Sequence, residues 1–243
     1  MIADIGVVLW KEAKEIMRYG GNRGWLSVLI LIAVYGIFIP WQMGRAWIEE
    51  PLVLLLWAWV PLFLVSTVIA DSFAGERERH TLETLLATRL SDQAILLGKV
   101  GAGVAYGWTL TVVSMAAGVV TVNLAFGQGR FLFYPLGVAA AMLGTSLLAA
   151  GLMASAGVLV SLRAATVRQA AQSLSLAVML LLFVPIFGVQ ALPPEWQARL
   201  MTAVSHLNTA RAFLLAMVTL ALINLALLTA AKARFRRARL LLD

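Results

Sequence analysis

The chain has no cysteine, only two histidines and few charged residues. The missing cysteines exclude disulfide scaffolds, thiolate metal sites and cysteine nucleophiles. Charged residues make up 13% of the 243 positions, whereas soluble domains carry about 25%. Together with a mean hydropathy of +0.89, this scarcity of charge is typical of a protein that crosses a membrane several times.

Patterns of catalysis and nucleotide binding are absent as well. No G-x-x-x-x-G-K-[ST] run occurs, so the usual loop that holds the phosphates of ATP is missing. The GxSxG pattern of serine hydrolases and the HExxH pattern of zinc proteases are missing too. His80 and His206 are too few for a histidine metal cluster. We therefore expect no catalytic residue, no metal site and no cofactor in this chain.

Six apolar runs are each long enough to cross a bilayer, which takes about 20 residues of helix. Lipid offers no hydrogen-bond partners to the backbone, so spanning segments of this kind must be helical. The sequence therefore predicts an all-α polytopic membrane protein that forms a single transmembrane domain over residues 1–243. The predicted spans are residues 25–41, 52–70, 100–126, 132–160, 174–192 and 212–231.

The basic residues are distributed unevenly among the segments between these spans. Fifteen of the 19 Lys and Arg residues lie before the first span, after the second or fourth span, or in the tail. Cytoplasmic segments of membrane proteins carry such an excess of Lys and Arg. The pattern predicts that both termini are cytoplasmic and that the protein is integral to the cytoplasmic (inner) membrane. It also explains the net charge of +7 without a nucleic-acid partner.

Residues 1–20 show the pattern of an amphipathic helix on a membrane surface. At 100° per residue one face is apolar and the other carries Lys11, Lys14 and Arg18. Glu12 falls inside the apolar face, where it could pair with a base elsewhere in the chain. A frayed basic tail is the alternative interpretation. The members of the apolar face are Ile5, Val8, Leu9, Ala13 and Ile16.

The segment between the second and third spans, residues 71–99, alternates acids and bases. Pairs at i+3 and i+4, Glu76 with Arg79 or His80 and Arg79 with Glu83, favour a helix. Ser91 and Asp92 are placed to cap a new helix that runs into the third span. The segment is therefore predicted to be helix, turn, helix. Its apolar ridge consists of Leu82, Leu85, Leu86 and Leu90.

A leucine ridge outside the membrane needs a surface to cover it. It could fold back on the protein's own spans, or it could enter a groove on a partner protein, as amphipathic helices often do. Periodicity does not separate these two alternatives.

The stretch GERERHTLETLLATRLSDQAILLGKV, residues 75–100, resembles the first cytoplasmic loop of ABC transporter permeases of the ABC-2 type. Two positions depart from that pattern: His80 stands where a glycine is usual, and Arg89 where a proline is usual. The matching positions are Glu76, Arg77, Glu78, Arg79, Thr81, Leu82, Glu83, Leu85, Leu86, Ala87, Thr88, Ser91, Ile95, Leu96, Leu97, Gly98 and Lys99.

The resemblance implies a transmembrane half-subunit of an ABC exporter. A second permease subunit, identical or a paralogue, would complete the path, and separate ATPase subunits would hold ATP and Mg²⁺. The loop would contain a cytoplasmic coupling helix that docks on the ATPase, and Arg163 and Arg168 would form a second cytoplasmic contact. The implied coupling residues are Glu76, Arg77, Glu78, Arg79, Thr81, Leu82, Glu83, Leu85, Leu86 and Arg89.

Polar side chains within the spans are candidates for a translocation path. Asn123 and Asn224 are favoured because an unpaired amide in lipid is costly, and Ser66 and Thr67 are further candidates. The external loop, residues 193–211, is amphipathic and is interpreted as a short helical cap or shallow re-entrant segment, with an ordinary solvated loop as the alternative. The cargo is not encoded in any recognisable pattern.

Two other functional classes stay open from the sequence. A secondary carrier or channel would transport without an ATPase, although no charged residue lies deep in a span to act as a proton relay. An ABC-type assembly or maturation factor would bind an ATPase but release a protein or cofactor outside.

Overall fold

The computed structural model describes residues 1–19, 21–50, 53–205 and 209–235. All regular secondary structure in these ranges is helical. Six segments are long and apolar enough to cross a membrane, which confirms the prediction of an all-α, six-span protein. They are Trp25–Met43, Trp59–Glu78, Asp92–Phe126, Leu136–Ser161, Val167–Gln190 and Phe213–Arg234.

The N-terminal helix α1 (Ile2–Tyr19) packs on the beginning of the third span. At the point of contact, a Cβ added to Gly98 would lie 2.5 Å from the Cβ of Val8, so the two helices approach this closely because residue 98 is a glycine. Val8 is buried, whereas Val7 and Trp10 are exposed. The predicted apolar face thus contacts protein at its centre, and its position on a membrane surface stays a prediction.

The first span is α2 (Gly21–Ile32), a π-helical turn (Ala33–Phe38) and α3 (Ile39–Met43), followed by the short α4 (Ala46–Glu49). Pro40 has no N–H to donate to the carbonyl of Gly36. The Thr121 hydroxyl of the third span donates to that carbonyl instead, at 2.8 Å. The irregular turn therefore also joins the first span to the third.

The second, third and fourth spans form the centre of the bundle. They are α5 (Val53–Ile69) with its continuation α6 (Asp71–Glu78), α8 (Asp92–Phe126) and α9 (Leu136–Ser161). A Cβ on Gly107 would lie 2.4 Å from Val65, and one on Gly157 would lie 2.1 Å from Ile69. Both glycines let helix backbones approach closely, as small residues do in membrane bundles.

The peripheral helices are α10 (Val167–Gln190), α11 (Pro194–Ser205) and α12 (Thr209–Arg234). α12 packs on α9, where Gly144 faces Met217 and Gly151 faces Asn224. Most described side chains of α10 and α12 are exposed in the single chain. These apolar faces are available to lipid or to a second subunit.

Several helices differ in length from the predicted spans. α8 begins at Asp92 and α10 at Val167, each some seven or eight residues before the predicted span, whereas α9 begins only after Pro135. The 35 residues of α8 extend about 52 Å, well beyond a hydrocarbon core of about 30 Å. Hydropathy marks only the apolar part of a helix, so its polar extension outside the lipid is missed.

Candidate functional site

Four segments meet at the basic end of the bundle: α1, the loop between the second and third spans, the connection after α9, and the end of α12. Phe73 on α6 and Phe235 after α12 pack with ring centroids 5.1 Å apart. Both belong to a buried cluster that also contains Leu86 and Val158. The loop, the connection after α9 and the end of α12 thus share one hydrophobic core.

Lys99 lies at the centre of this end and is only 2% exposed. Its Nζ donates to Oε1 of Glu12 at 2.8 Å, to Oε1 of Glu76 at 3.0 Å and to the Ser72 carbonyl at 2.7 Å. Lys11 donates to the same two carboxylate oxygens, at 3.2 and 2.9 Å. The unexpected acid in the apolar face of α1 is therefore the acceptor that binds α1 to the third span and the loop.

The pKa values of Glu12 and Lys11 are shifted in the directions that favour their charged forms. Burial alone would raise the pKa of Glu12, but Lys99 and Lys11 outweigh it and keep that pKa below its ordinary value. Burial likewise would lower the pKa of Lys11, but Glu12, Glu76 and Glu15 outweigh it and raise that pKa. Among the described residues, this ion cluster consists of Glu12, Glu15 and Glu76 with Lys11 and Lys99.

The two loops predicted to contact a partner separately are joined to each other. Arg77 donates to the carbonyls of Ala164 and Leu162, the latter at 3.0 Å. Glu78 accepts from the Val167 N–H at 2.9 Å. A displacement of α6 must therefore also move the connection between the fourth and fifth spans.

Ser161 makes a second connection between α6 and α9. Its hydroxyl donates to the Ala70 carbonyl at 3.0 Å and accepts from the N–H groups of Phe73 at 3.0 Å and Ala74 at 2.9 Å. The sequence did not single out Ser161 or the role of Lys99. A serine at the end of a span has no local signal that distinguishes it from an ordinary capping residue.

The predicted helix pairs within the loop are wrong. α6 ends at Glu78, and His80 follows with φ 55°, in the left-handed region. Glu76 faces Lys99 and Lys11, and Arg79 donates to Asp71 at 3.1 Å. The turn separates Arg79 from Glu83, so i+4 pairing on one helix is not formed.

The predicted cap of the helix that runs into the third span is confirmed. The short α7 (Leu82–Leu86) follows the turn, and the Ser91 hydroxyl then accepts from the Ala94 N–H at 3.2 Å to cap α8. A helix cap is a local pattern, which is why the sequence could predict it.

The structure selects between the two alternatives for part of the leucine ridge. Leu82 and Leu86 are 8% and 5% exposed and pack in the chain's own core, and their part in coupling to an ATPase stays a prediction. Leu85 is half-buried at the same surface. A partner would instead meet a polar surface, the exposed shoulder, whose members are Arg79, His80, Thr81, Glu83, Thr84, Arg89, Arg163 and Arg168.

The four candidates for a translocation path are bonded within the chain. Asn123 donates to the carbonyls of Val119 and Leu132, and Asn224 donates to Leu148 on α9 at 2.9 Å. The hydroxyls of Ser66 and Thr67 bond to their own helix. Both amides thus have structural partners, and the path assignment stays a prediction.

The family model described as ABC-2 family transporter protein matches residues 60–237. The chain belongs to the ABC-2 transporter family. It is therefore an integral membrane protein and a permease component of an ABC transporter, a class of system in which an ABC ATPase is the partner. The match covers the second to sixth spans and both loops of the basic end. A search of curated proteins found no match.

Proposed function

We propose that this ABC-2 permease exports its cargo with energy from ATP hydrolysis on a separate ABC ATPase, which holds the ATP and Mg²⁺. The ATPase docks on the exposed shoulder at the basic end. That end and both termini then lie in the cytoplasm and the protein lies in the inner membrane, because cytoplasmic segments carry the excess of Lys and Arg.

The connected construction of the basic end is the observation that carries this proposal. Arg77 and Ser161 join the loop to the fourth span and its connection, Glu78 joins it to the fifth span, and Lys99 joins it to α1 and the third span. Force applied to the shoulder is thereby transmitted to several spans at once. A rigid docking surface of this kind suits a transporter whose spans rearrange as packed bodies.

Two permease subunits enclose the path in this proposal. The apolar faces of α10 and α12, which other parts of the chain leave exposed, offer surface for a second copy or a paralogue. Because no described carboxylate or base lies deep in a span, an apolar or amphiphilic cargo fits better than a small ion.

Retention of an ATPase by the purified chain tests the docking. The full chain is co-expressed with ABC ATPases of the same genome, beginning with any encoded by an adjacent gene. Reversing two shoulder charges, Glu83→Lys with Arg89→Glu, should lower ATPase retention about tenfold, as loss of charged interface contacts does. The matched control is Arg130→Glu, an exposed reversal at the opposite end.

The proposal fails if retention survives the double reversal, or if reconstituted chain alone transports without any ATPase. The latter result would identify a secondary carrier. Glu76 is unsuitable for this test because it is 3% exposed and bonded to two lysines, so its reversal would disturb the fold.

The absence of cysteine allows a clean test of orientation. Thr84→Cys and Arg130→Cys place single thiols at the two ends of the bundle. A membrane-impermeant maleimide added outside intact cells should label only Arg130→Cys, and labelling of Thr84→Cys would invert the proposed orientation.

A further inference from the structure

The segment that connects α8 to α9, residues 127–135, places two phenylalanine side chains on the surface. Phe131 is 79% exposed and Phe133 is 58% exposed. Their rings stack, with centroids 6.2 Å apart and an angle of 15° between the ring planes. Apolar groups of this size favour a non-aqueous environment, so a stacked pair on a surface marks a contact site for lipid or for protein.

The exposure of the pair follows from an alternation along this segment. Leu132 packs against a buried cluster, and Tyr134 is 5% exposed within that cluster. Residues 131–134 thus point alternately outwards and inwards, with the period of two of an extended chain. Phe131 and Phe133 therefore share the outward side.

Asn123 holds this arrangement in place. Its side-chain amide donates to the Leu132 carbonyl at 2.7 Å, and its side-chain oxygen accepts from the Leu132 N–H at 2.7 Å. The same amide donates to the Val119 carbonyl, one turn earlier in α8, at 2.8 Å. The backbone of Leu132 is therefore fixed to α8 on both sides, so the fold itself holds the two rings outwards.

The pair lies at the ends of two spans. Leu124, the neighbour of Asn123, is 84% exposed near the end of the third span, and Leu136, which is 85% exposed, begins the fourth span. The bonds of Asn123 place Leu132 beside the turn of α8 that carries Leu124. Because the chain is an integral membrane protein, the ends of these spans lie where the hydrocarbon of the bilayer meets its headgroups. The rings are therefore at the level at which they can enter the bilayer.

The residues that precede the pair are polar. Arg130 is exposed, and Gln128 accepts from the Arg45 guanidinium at 2.9 Å at the same surface. Arginine side chains near the ends of spans extend to the lipid phosphates, while the apolar side chains beside them enter the hydrocarbon. The order along the chain, from guanidinium to rings to span, matches the change from headgroup to hydrocarbon. A protein partner would cover the rings, whereas lipid also accounts for this order.

We propose that residues 131–136 insert into the membrane leaflet at the end opposite the basic end. Phe131 and Phe133 contact the acyl chains just below the headgroups, and the Arg130 guanidinium binds lipid phosphate. The contact fixes the depth of the third and fourth spans and leaves them free to move within the plane of the membrane, because lipid is fluid. It is independent of ATPase docking, which uses the other end of the bundle.

Site-directed spin labelling of the reconstituted full chain tests the insertion, and the absence of native cysteine allows single labels. Phe131→Cys and Phe133→Cys, each with the other ring intact, carry a nitroxide in vesicles of phosphatidylethanolamine and phosphatidylglycerol. Oxygen concentrates in hydrocarbon, whereas a nickel chelate stays in water, so the ratio of their collision rates with the nitroxide reports its depth. This ratio should be several-fold higher at both positions than at Thr84→Cys, an exposed site at the basic end.

A second set of variants tests the rings themselves, with the label at Arg130→Cys. Phe131→Ser together with Phe133→Ser should lower the oxygen-to-nickel ratio of this label several-fold, because the loop loses its apolar contact with the acyl chains. Phe131→Leu together with Phe133→Leu keeps that contact and should leave the ratio unchanged. Both double variants should keep the melting temperature in detergent, since the two rings are exposed.

A ratio at both ring positions equal to that at Thr84→Cys would overturn the proposal, because the rings would then lie in water. Protection of both positions from oxygen and from nickel would overturn it as well, since a second subunit or another protein would then cover the pair. An Arg130→Cys label whose ratio is the same with serines as with the native rings would also refute it. These measurements need no ATPase, so their failure would leave the docking proposal standing.

Discussion

The two ends of the bundle are held together in different ways. At the basic end, buried charges and hydrogen bonds join segments that are far apart in the chain, such as Lys99 to Glu12 and Arg77 to Ala164. At the opposite end the described residues form no buried ion pair, and the long-range bonds of Arg45 lie at the surface. The Asn123 amide exchanges two bonds of 2.7 Å with Leu132, nine residues later, and the Arg45 guanidinium donates to the Phe126 carbonyl at the surface.

This difference shows which end of the bundle forms a rigid unit. Polar groups buried between distant segments fix those segments to one another, because separating them would leave charges without partners. Exposed bonds such as those of Arg45 can be replaced by bonds to water, so they leave neighbouring spans freer to shift. The basic end is therefore suited to transmit a force from a partner to several spans, and the opposite end is suited to a change in helix packing.

The largest expected effect is the loss of the central cation. Lys99→Met leaves Glu12 and Glu76 buried with only Lys11 to compensate them. Breaking a buried ion pair in this way costs about 3–5 kcal/mol, so the melting temperature in detergent should fall sharply. Lys14→Met is the control, since Lys14 is half-buried beside Trp10 and outside the ion cluster. Equal melting temperatures for the two variants would contradict the structural role of Lys99.

Removal of the Ser161 hydroxyl should have the next largest effect. Ser161→Ala leaves the N–H groups of Phe73 and Ala74 without their acceptor, at a cost of about 1–3 kcal/mol. Thermal unfolding should show the loss, while Ser114→Ala, whose hydroxyl bonds to nothing described, should show none. If ATPase retention is unchanged in a folded Ser161→Ala protein, the connection between the loops does not support docking.

A substitution at the opposite end sharpens the comparison. Asn123→Ala removes the local cap at Leu132 and should lower stability by about 1 kcal/mol. ATPase retention should stay at the unaltered level, because the change lies away from the docking surface. Reduced retention would show that the two ends are not separable.

Acid should weaken the basic end before the rest of the molecule. The pKa of Glu12 is held below its ordinary 4.5, so its contribution is present above that value and is lost as the pH falls through the folded pKa. The raised pKa of Lys11 adds stability that persists to strongly alkaline pH. Stability measured by thermal unfolding should therefore be flat near neutrality and fall below about pH 4.5. Glu12→Gln should remove part of that acid-dependent loss, and an unchanged pH profile would contradict the ion cluster.

The smallest expected effect is a gain at the turn before α7. His80 holds φ 55°, a conformation that costs a residue with a Cβ about 1 kcal/mol and that glycine adopts freely. His80→Gly should raise the melting temperature slightly, and a decrease would show that the imidazole makes a stabilising contact.

Local patterns in the sequence predicted the features that depend on local physics. The six apolar runs predicted the number of spans, and Ser91 caps α8 as its spacing indicates. The charge alternation around Glu76 led to a wrong prediction of pairs within the loop. Glu76 pairs with Lys11 and Lys99 from other segments, and Arg79 pairs with Asp71. Nothing near Lys99 in the sequence indicates that its acceptor lies 87 positions away, and burial of Leu82 depends on where the other spans pack.

Cross-linking from the shoulder tests the central claim most directly. A single thiol, Thr84→Cys at the basic end or Arg130→Cys at the opposite end, carries a photoactivatable cross-linker in the full chain co-expressed with its ATPase. The account predicts that illumination joins the ATPase to Thr84→Cys and not to Arg130→Cys. An ATPase that co-purifies with the chain but cross-links from Arg130→Cys alone, or from neither position, would contradict it.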